Sequence, residues 1–289
     1  MKIKILIPVY NDWQSVFKLL ENINSEVSNL GHEFSIIIVN DASTESRPEI
    51  KLNLDNLNSI KIINMKENRG HARCNASGLK HIFENEEFDY VIPMDGDGED
   101  RPEEIKQLID NLNYHPDKPI VGERIKRSEG IFFKFCYLAH KIITSTFTGQ
   151  SIKYGNYTCL PKSIVEKMIN EKATWSSFSG ALAKITKDRA IIPSERGTRY
   201  FGPSKMSFKN LIIHSLSIIS VFRTNVLIRS ILFLLVYIFL IHQNITAIML
   251  IPVILVLTLI ASVFVVSKRE NLEELNKSLL NISNIDNLK

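Results

Sequence analysis

Cysteine is scarce in this chain. Cys74, Cys136 and Cys159 are three in 289 residues, widely spaced and odd in number. Such a set builds neither a disulfide framework nor a zinc site, and it suits a reducing compartment. A strong excess of one charge is also lacking. Lys and Arg number 35 against 31 Asp and Glu, for a formal net charge of +4. No basic stripe interleaved with aromatics is present, so no nucleic-acid partner is expected. There is no internal repeat and no low-complexity linker. Nor does the start look like an export leader: Met1–Pro8 has two lysines and a short apolar run that Pro8 closes, which reads as a buried strand. That strand leads into Pro8-Val9-Tyr10-Asn11 and not into a glycine-rich triphosphate loop.

Alternation is what the first half does have. Strand-length apolar runs at Ile3–Pro8, Phe34–Asn40, Ile60–Asn64, Tyr90–Met94 and Ile120–Gly122 are separated by helical patterns at Trp13–Val27, Ala72–Phe83 and Pro102–Leu112. This predicts an α/β fold, a mostly parallel sheet with helices on both faces. Ligands of such sheets bind beyond the carboxyl ends of the strands. Four polar clusters follow four strands there: Tyr10-Asn11-Asp12, Asn40-Asp41-Ala42-Ser43, Asn68-Arg69-Gly70 and Asp95-Gly96-Asp97. Together they predict one site.

The last third changes character. Val226–His242 and Ile245–Val266 are almost wholly apolar, and Gln243-Asn244 alone separates them. About 20 residues of helix cross a bilayer core, so a transmembrane hairpin is expected, with two buried core helices as the bland alternative. Arg223 and Arg229 precede the pair, and Lys268 and Arg269 follow it. By the positive-inside rule both ends are expected in the cytoplasm of a multi-pass protein of the cell membrane. Between Lys205 and Thr224, the polar residues Ser207, Asn210, His214, Ser217, Ser220 and Thr224 form a narrow stripe at helical spacing. A helix lying in the membrane interface has this pattern, and so does one packed on the preceding domain. The expected division is a catalytic domain over 1–204, a juxtamembrane helix over 205–225, a hairpin over 226–267 (helices 226–243 and 245–266) and a tail over 268–289. In the tail Leu272, Leu275, Leu279 and Ile282 fall at helical spacing, as a frayed end or a helix for a partner or a second copy.

Three motifs carry chemistry. In Val91-Ile-Pro-Met-Asp95-Gly-Asp97-Gly-Glu99-Asp100, a strand delivers carboxylates spaced i, i+2 into a glycine-containing loop. Oxygen ligands this close suit a hard divalent cation that also holds phosphates, although a solvated acidic turn looks the same. Asn68-Arg-Gly70-His-Ala-Arg73 is readable as a capped helix start, with Asn68 as cap and free amides for a phosphate. Arg196-Gly-Thr-Arg199-Tyr-Phe-Gly202-Pro-Ser204-Lys205 can clamp anions or touch anionic lipid headgroups.

In order and spacing, Ile7-Pro8-Val9-Tyr10-Asn11-Asp12, Val39-Asn40-Asp41-Ala42-Ser43-Thr44, Asn68-x-Gly70 and Asp95-x-Asp97-x-Glu99 resemble the inverting GT-A glycosyltransferases of family 2. That group includes dolichyl-phosphate mannose synthase and bacterial polyprenyl-phosphate glycosyltransferases. The resemblance covers residues 1–125 and returns at Gly202-Pro-Ser-Lys205 and the hairpin. It implies a Rossmann-like GT-A domain and a UDP- or GDP-linked sugar donor. Pro8, Tyr10, Asn11, Asp12, Asn40, Asp41, Asn68, Gly70 and Arg73 are then expected on the nucleotide sugar. Asp95, Asp97 and Glu99 are expected on Mg²⁺ or Mn²⁺. Arg124 matches an arginine directed at the acceptor phosphate, with Lys134, Arg199 and Lys205 as further candidates. Asp95, Asp97 and Arg124 are the expected catalytic set. Four departures stand out. Asp12 replaces a glutamate. Ala42 replaces a glycine, harmless in a right-handed turn. Glu99 and Arg101 replace a glutamine and a proline or histidine. Tyr154-Gly-Asn-Tyr-Thr-Cys159 replaces a typical acceptor-side stretch.

The acceptor is read from charge. Between Gly130 and Arg223 cations are many, and Glu166, Glu171, Asp188 and Glu195 are the only carboxylates. A polyprenyl phosphate is already ionised and needs cations, whereas a sugar hydroxyl needs a positioned base. A lipid phosphate is therefore expected at the membrane, and a homo-oligomer is compatible with everything above. Two other readings stay open. One is transfer to a hydroxyl of a lipid-linked glycan with Glu195 or Asp100 as base. The other is a non-catalytic membrane adaptor that binds sugar nucleotides.

Overall fold

Strands β1 (Lys2–Val9) and β2 (Glu33–Asn40) are runs of Ile, Val and Leu with hardly a polar interruption, as strands covered on both faces must be. They pair in parallel from Lys2 opposite Glu33 to Val9 opposite Asn40. The computed structural model describes residues 1–49, 53–126, 131–203 and 207–289, without the side chains of 126, 131–137, 139 and 140. Strands β3 (Ser59–Met65), β4 (Tyr90–Pro93), β5 (Ile120–Lys126), β6 (Thr158–Pro161), β7 (Ala190–Glu195) and β8 (Ile282–Asn287) complete one sheet. Its order is β7-β5-β6-β4-β1-β2-β3-β8. Only β6 and β8 run antiparallel to their neighbours. The α/β expectation holds. The parallel strands bring their carboxyl ends to one edge, where the polar clusters lie.

Helices α1 (Trp13–Glu26), α2 (His71–Asn85) and α3 (Ile105–Leu112) connect the first strands. Each buries one face. From α1, Trp13, Val16, Phe17, Leu19, Leu20 and Ile23 enter the same core as Ile3, Ile5 and Ile7 of β1. A single 3-10 turn, Pro102–Glu104, opens α3 with Pro102 at the first position, as expected of a residue without an N–H. Helices α5 (Lys162–Ile169) and α6 (Phe178–Ile185) follow β6.

The chain divides into two compact units. One comprises Met1–Ser128, Lys153–Lys205 and Asn271–Lys289; the other comprises Glu129–Ile152 and Met206–Glu270. Glu129–Ile152 thus groups with the segment from Met206 onward, and Asn271–Lys289 with the sheet. The tail is no frayed or free-standing helix. Only Leu272–Asn276 is helical (α10), capped by the Asn271 side chain on the Glu274 amide. Leu275 is buried with Ala76 and Trp175, and the Trp175 indole donates to Glu274 at 2.7 Å. Strand β8 then pairs with β3, Lys61 opposite Asn287 and Ile63 opposite Ile285. The reason is an open ladder: without β8 the outer edge of β3 would present unpaired amides and carbonyls.

In the second unit, α4 (Ile131–Thr148), α7 (Phe208–Ser220), α8 (Arg223–Ile241) and α9 (Ile251–Ser267) pack around Ile219, Val226 and Val263. Asn225 and Arg229 donate to the carbonyls of Thr148 and Thr146, closing the open end of α4. In α7, Ser217 and Ser220 of the polar stripe are buried and donate back to carbonyls of their own helix. Phe208, Lys209, Asn210 and Ile212 are its exposed side chains. Two helices, spanning Arg223–Ile241 and Ile248–Asn276, are long and apolar enough to cross a membrane. Large apolar side chains cover their outsides, among them Leu235, Phe239, Leu240 and Leu255. The turn between them is longer than Gln243-Asn244, because Pro252 opens α9 only at Ile251, after a 3-10 turn at Ile248–Leu250.

Candidate active site

Three loops meet where β1, β2 and β3 end. Asn11, at φ 51°, donates its backbone N–H to Ser43 Oγ at 2.9 Å. Its side-chain oxygen accepts the amides of Thr44 and Glu45 at 2.8 and 3.1 Å. Asn40 Oδ1 accepts the Ser43 amide at 3.0 Å. Ala42 between them has φ 55°, so the turn there is left-handed and not right-handed as expected. A residue with a Cβ is strained in that region, and the Asn40 and Asn11 hydrogen bonds offset the strain. Tyr10 leaves its ring exposed beside this turn, and Pro8 stays buried within β1. The Asp41 carboxylate accepts the amides of Arg69 and Gly70 at 2.9 and 2.8 Å. Burial holds its carboxyl above the usual range despite those two amides.

Asn68 is exposed and does not cap α2; Gly70, at φ 92°, stands at the cap position with no side-chain bond. The amides expected to await a phosphate are those Asp41 engages. Arg73 lies 5.4 Å over the Trp175 ring and 3.8 Å from Glu274.

The acidic loop after β4 folds on itself. Asp95 donates its N–H to Asp100 Oδ2 at 2.9 Å, and Asp97 Oδ1 accepts the Glu99 amide at 2.9 Å. The segment 196–200 lies flush on this loop. Gly197 donates to the Glu99 carbonyl at 2.8 Å and Tyr200 to the Asp97 carbonyl at 2.9 Å. Glycine is required at both contacts: a Cβ on Gly98 would fall 2.6 Å from the Tyr200 ring, and one on Gly197 2.5 Å from the Gly98 carbonyl. Two arginines are thereby delivered to the acids. Arg196 pairs with Glu99. Arg199 pairs with Asp97 and, at 2.5 Å, with Asp12. Arg124 comes to 4.0 Å from Asp100. His71 Nε2 lies 3.3 Å from Asp95 Oδ1, within 2.5 Å of the Asn156 amide and 3.1 Å of the Asn75 amide. Asn156 also donates to Asp95 at 3.3 Å.

These neighbours set the charges. Burial pulls the Asp95 carboxyl up, but His71, Arg124 and the Asn156 bond outweigh it, and the group stays below its usual range. Burial and the Asp95 charge push Asp97 up to about 6 even with Arg199 on it. The same two causes push Asp100 up to about 8. Several buried acids under this strain call for a cation. Asp95 and Asp97 offer oxygen donors two residues apart, which fits a divalent ion completed by water and phosphate oxygens. Glu99 faces Arg196, and among the described residues no three acids, histidines or cysteines converge as a ready cage. Glu99, the third expected ligand, is thus engaged by an arginine here.

Of the expected residues, Asp12, Asp95, Asp97, Glu99, Arg124 and Arg199 come together around the acidic loop, and Asn11, Asn40 and Asp41 in the neighbouring turns. Arg73 goes instead to Trp175. Lys205 and the Lys134 side chain lie outside the described residues. His71, Asn156 and Tyr200 were not anticipated. His71 directly follows the Gly70 that was read as a helix start, and Asn156 sits in the stretch read as a departure from the family.

Comparison with known proteins identifies the family and the fold. The profile of glycosyl transferase family 2 matches residues 4–167. Among solved structures, the Staphylococcus aureus TarS fragment 1–349 in complex with UDP-GlcNAc is 15% identical, covers 80% of this chain and 70% of its own, and superposes with a TM-score of 0.51. Glucosyl-3-phosphoglycerate synthase from Mycobacterium tuberculosis, in complex with Mn²⁺, UDP-glucose and phosphoglyceric acid, gives 12%, 78%, 79% and 0.56. The mannosyltransferase PcManGT from Pyrobaculum calidifontis, with GDP-mannose and Mn²⁺, gives 13%, 92%, 73% and 0.51. At these identities the likeness is one of fold.

Proposed function

We propose, from the fact that this chain belongs to glycosyl transferase family 2, that it is a membrane-anchored, inverting, metal-dependent enzyme that moves a sugar from a nucleotide sugar to a lipid phosphate, with polyprenyl phosphate as the carrier. The nucleoside occupies the turns of Asn11, Asn40 and Asp41, with the exposed Tyr10 ring at their rim. Asp95 and Asp97 hold Mg²⁺ or Mn²⁺, which neutralises charge developing on the departing diphosphate. An acceptor oxygen attacks the anomeric carbon from the face opposite the diphosphate. The carbon–oxygen bond to the diphosphate breaks, the configuration inverts, and nucleoside diphosphate leaves. UDP- and GDP-linked sugars bound to proteins of this fold support the donor class. Mn²⁺ in two of them supports the metal.

The acceptor class rests on which groups are free to act as base. Of the two candidate bases, Glu195 lies 3.7 Å from Arg101, and Asp100 is buried against the Asp95 amide, its carboxyl pushed up to about 8 by burial and the Asp95 charge. Arg124 stands beside the same loop. Neither of these two carboxylates stands clear as a base, which suits an acceptor that arrives ionised.

One observation carries the membrane part: the two long apolar helices fall between parts of one compact unit, with Met1–Ser128 and Lys153–Lys205 before them and Asn271–Lys289 after. Segments that fold together lie on one side of any bilayer, so an even number of crossings is required, and a two-helix hairpin meets it. Lys268 and Arg269 are exposed at its outgoing end and favour a cytoplasmic side for both termini. Full-length protein in nanodiscs is the test, given a panel of UDP- and GDP-sugars and undecaprenyl phosphate, read by nucleoside diphosphate release. Arg124→Ala should lower transfer to the lipid phosphate about ten- to hundredfold, while slow hydrolysis persists. If Glu195→Gln alone blocks transfer, the acceptor is a hydroxyl.

A further inference from the structure

The last strand does more than close the sheet edge. Asp286 of β8 accepts a hydrogen bond at Oδ2 from Asn64 Nδ2 at 3.1 Å. Asn64, at the end of β3, accepts at Oδ1 from Asn40 Nδ2 at 2.9 Å. Asn40, at the end of β2, accepts at Oδ1 from the Ser43 amide at 3.0 Å. Ser43 Oγ in turn accepts the Asn11 amide at 2.9 Å. A line of side chains thus runs from the C-terminal tail, across the ends of two strands, into the strained turn around Ala42.

The direction of this line is dictated at one end. An amide side chain can present either its oxygen or its NH₂ to a neighbour, and the two cannot be told apart by shape. An ionised carboxylate only accepts. Asp286 therefore obliges Asn64 to turn its NH₂ outward and its oxygen toward Asn40. Asn40 must then give its NH₂ to Asn64, which leaves its oxygen for the Ser43 amide. With Asn40 reversed, two donors would face each other at Ser43 and the turn would lose the bond that offsets the left-handed Ala42. The carboxylate is further held by Arg47 at 3.2 Å and, at Oδ1, by Asn284 at 2.7 Å.

We infer that Asp286 is a positioning residue for the donor-nucleotide site, setting through Asn64 and Asn40 the turn that receives the nucleoside. This rests on the reading of Asn40–Ser43 as the nucleoside turn. The tail that follows the apolar helices thereby takes part in substrate binding, and a protein lacking it would bind donor poorly even where the remaining sheet folds.

The test uses full-length protein in detergent micelles, with two readouts: hydrogen exchange of the Ser43 and Thr44 amides, and affinity for UDP and GDP by calorimetry. Asp286→Ala should speed exchange and weaken nucleotide binding, each about fivefold, the share of one hydrogen bond. Asp286→Asn, whose side-chain oxygen can still accept, should restore both. Asn64→Ala interrupts the line while leaving β8 intact, so it should reproduce the defect without faster exchange at Ile285. Arg47→Ala should change neither readout. Unaltered Ser43 exchange in Asp286→Ala and Asn64→Ala overturns the relay. So does an Arg47→Ala defect equal to that of Asp286→Ala, which would reduce Asp286 to an ion-pair partner. Wild-type protein that binds neither UDP nor GDP would instead refute the donor-site reading itself, and the positioning role with it.

Discussion

Removing Arg199 should make the metal bind more tightly and the enzyme work less well. Its guanidinium bridges Asp97 and Asp12, whose side chains are only 16% and 17% exposed. A divalent ion cannot take Asp97 fully while Arg199 holds it, so ion and arginine compete. A hydrogen bond to a charged group is worth about 1.5–3 kcal/mol. Losing the competitor in Arg199→Ala should therefore raise Mn²⁺ affinity in the absence of nucleotide by about ten- to hundredfold. Arg199→Lys, a compact cation without the two-pronged fork, should fall between. Stability should move the other way. Two half-buried carboxylates left without their partner cost less than the roughly 3–5 kcal/mol of a fully buried broken pair, and Mn²⁺ should recover most of it. Transfer should drop, because on the proposed reading an arginine displaced from Asp97 by the ion becomes free to hold a phosphate beside it. The assay is an electron paramagnetic resonance titration of free Mn²⁺, paired with thermal unfolding at zero and saturating metal. Mn²⁺ affinity that is unchanged or lower in Arg199→Ala refutes the competition, and with it the pairing of this segment with the metal ligands.

Asp97→Asn should abolish metal-dependent turnover with little change in thermal unfolding, since it removes charge without adding volume; near-normal turnover would refute the metal assignment. Asp97 is pushed up to about 6 from an ordinary 3.8, so the folded protein holds a proton there that the unfolded chain has released. Stability of the metal-free protein should accordingly fall as pH rises between those values, while Mn²⁺ affinity should rise over the same window because only the ionised carboxylate binds; titrations from pH 4.5 to 7.5 check both signs. Cysteine labelling at 244 and at 289 should report opposite sides of the membrane, and labelling on the same side would refute the hairpin. Leu275→Ala should destabilise the sheet unit by about 2–5 kcal/mol, as for other fully buried leucines, measured by denaturant unfolding.

The parallel half of the sheet was legible because its signals are local. Ile3–Pro8 and Phe34–Asn40 are buried on both faces, so they read as apolar runs broken only by Lys4 and Ser35 and bounded by polar turns. The acidic loop stood out for a similar reason, as acids and glycines directly after a strand, although its use did not follow from the motif alone. The short antiparallel strand β6 was not, since four residues that cross between β4 and β5 carry no period. Helix capping misled at Asn68. The residue that satisfies the amides there is Asp41, 28 and 29 positions earlier in the chain, and no window along the sequence joins the two. His71 and Asn156 meet at Asp95 across 85 residues for the same reason.

The tail shows which kind of information a sequence withholds. Leu272, Leu275 and Leu279 do share a helical spacing, but α10 stops at Asn276, and Leu275 is buried because α2 and Trp175 are already there to receive it. Ile282-Ser-Asn-Ile285-Asp286-Asn287 has too little alternation to announce a strand. Its pairing is decided by the edge of β3, a template some 220 residues away, and by Asp286 meeting Asn64 and Arg47 across that edge. Two apolar helices separate the tail from everything it contacts, so on the page it looks like an appendage. A segment so placed can hold a central turn of the site only because the chain comes back. The same return completes the sheet at the outer edge of β3.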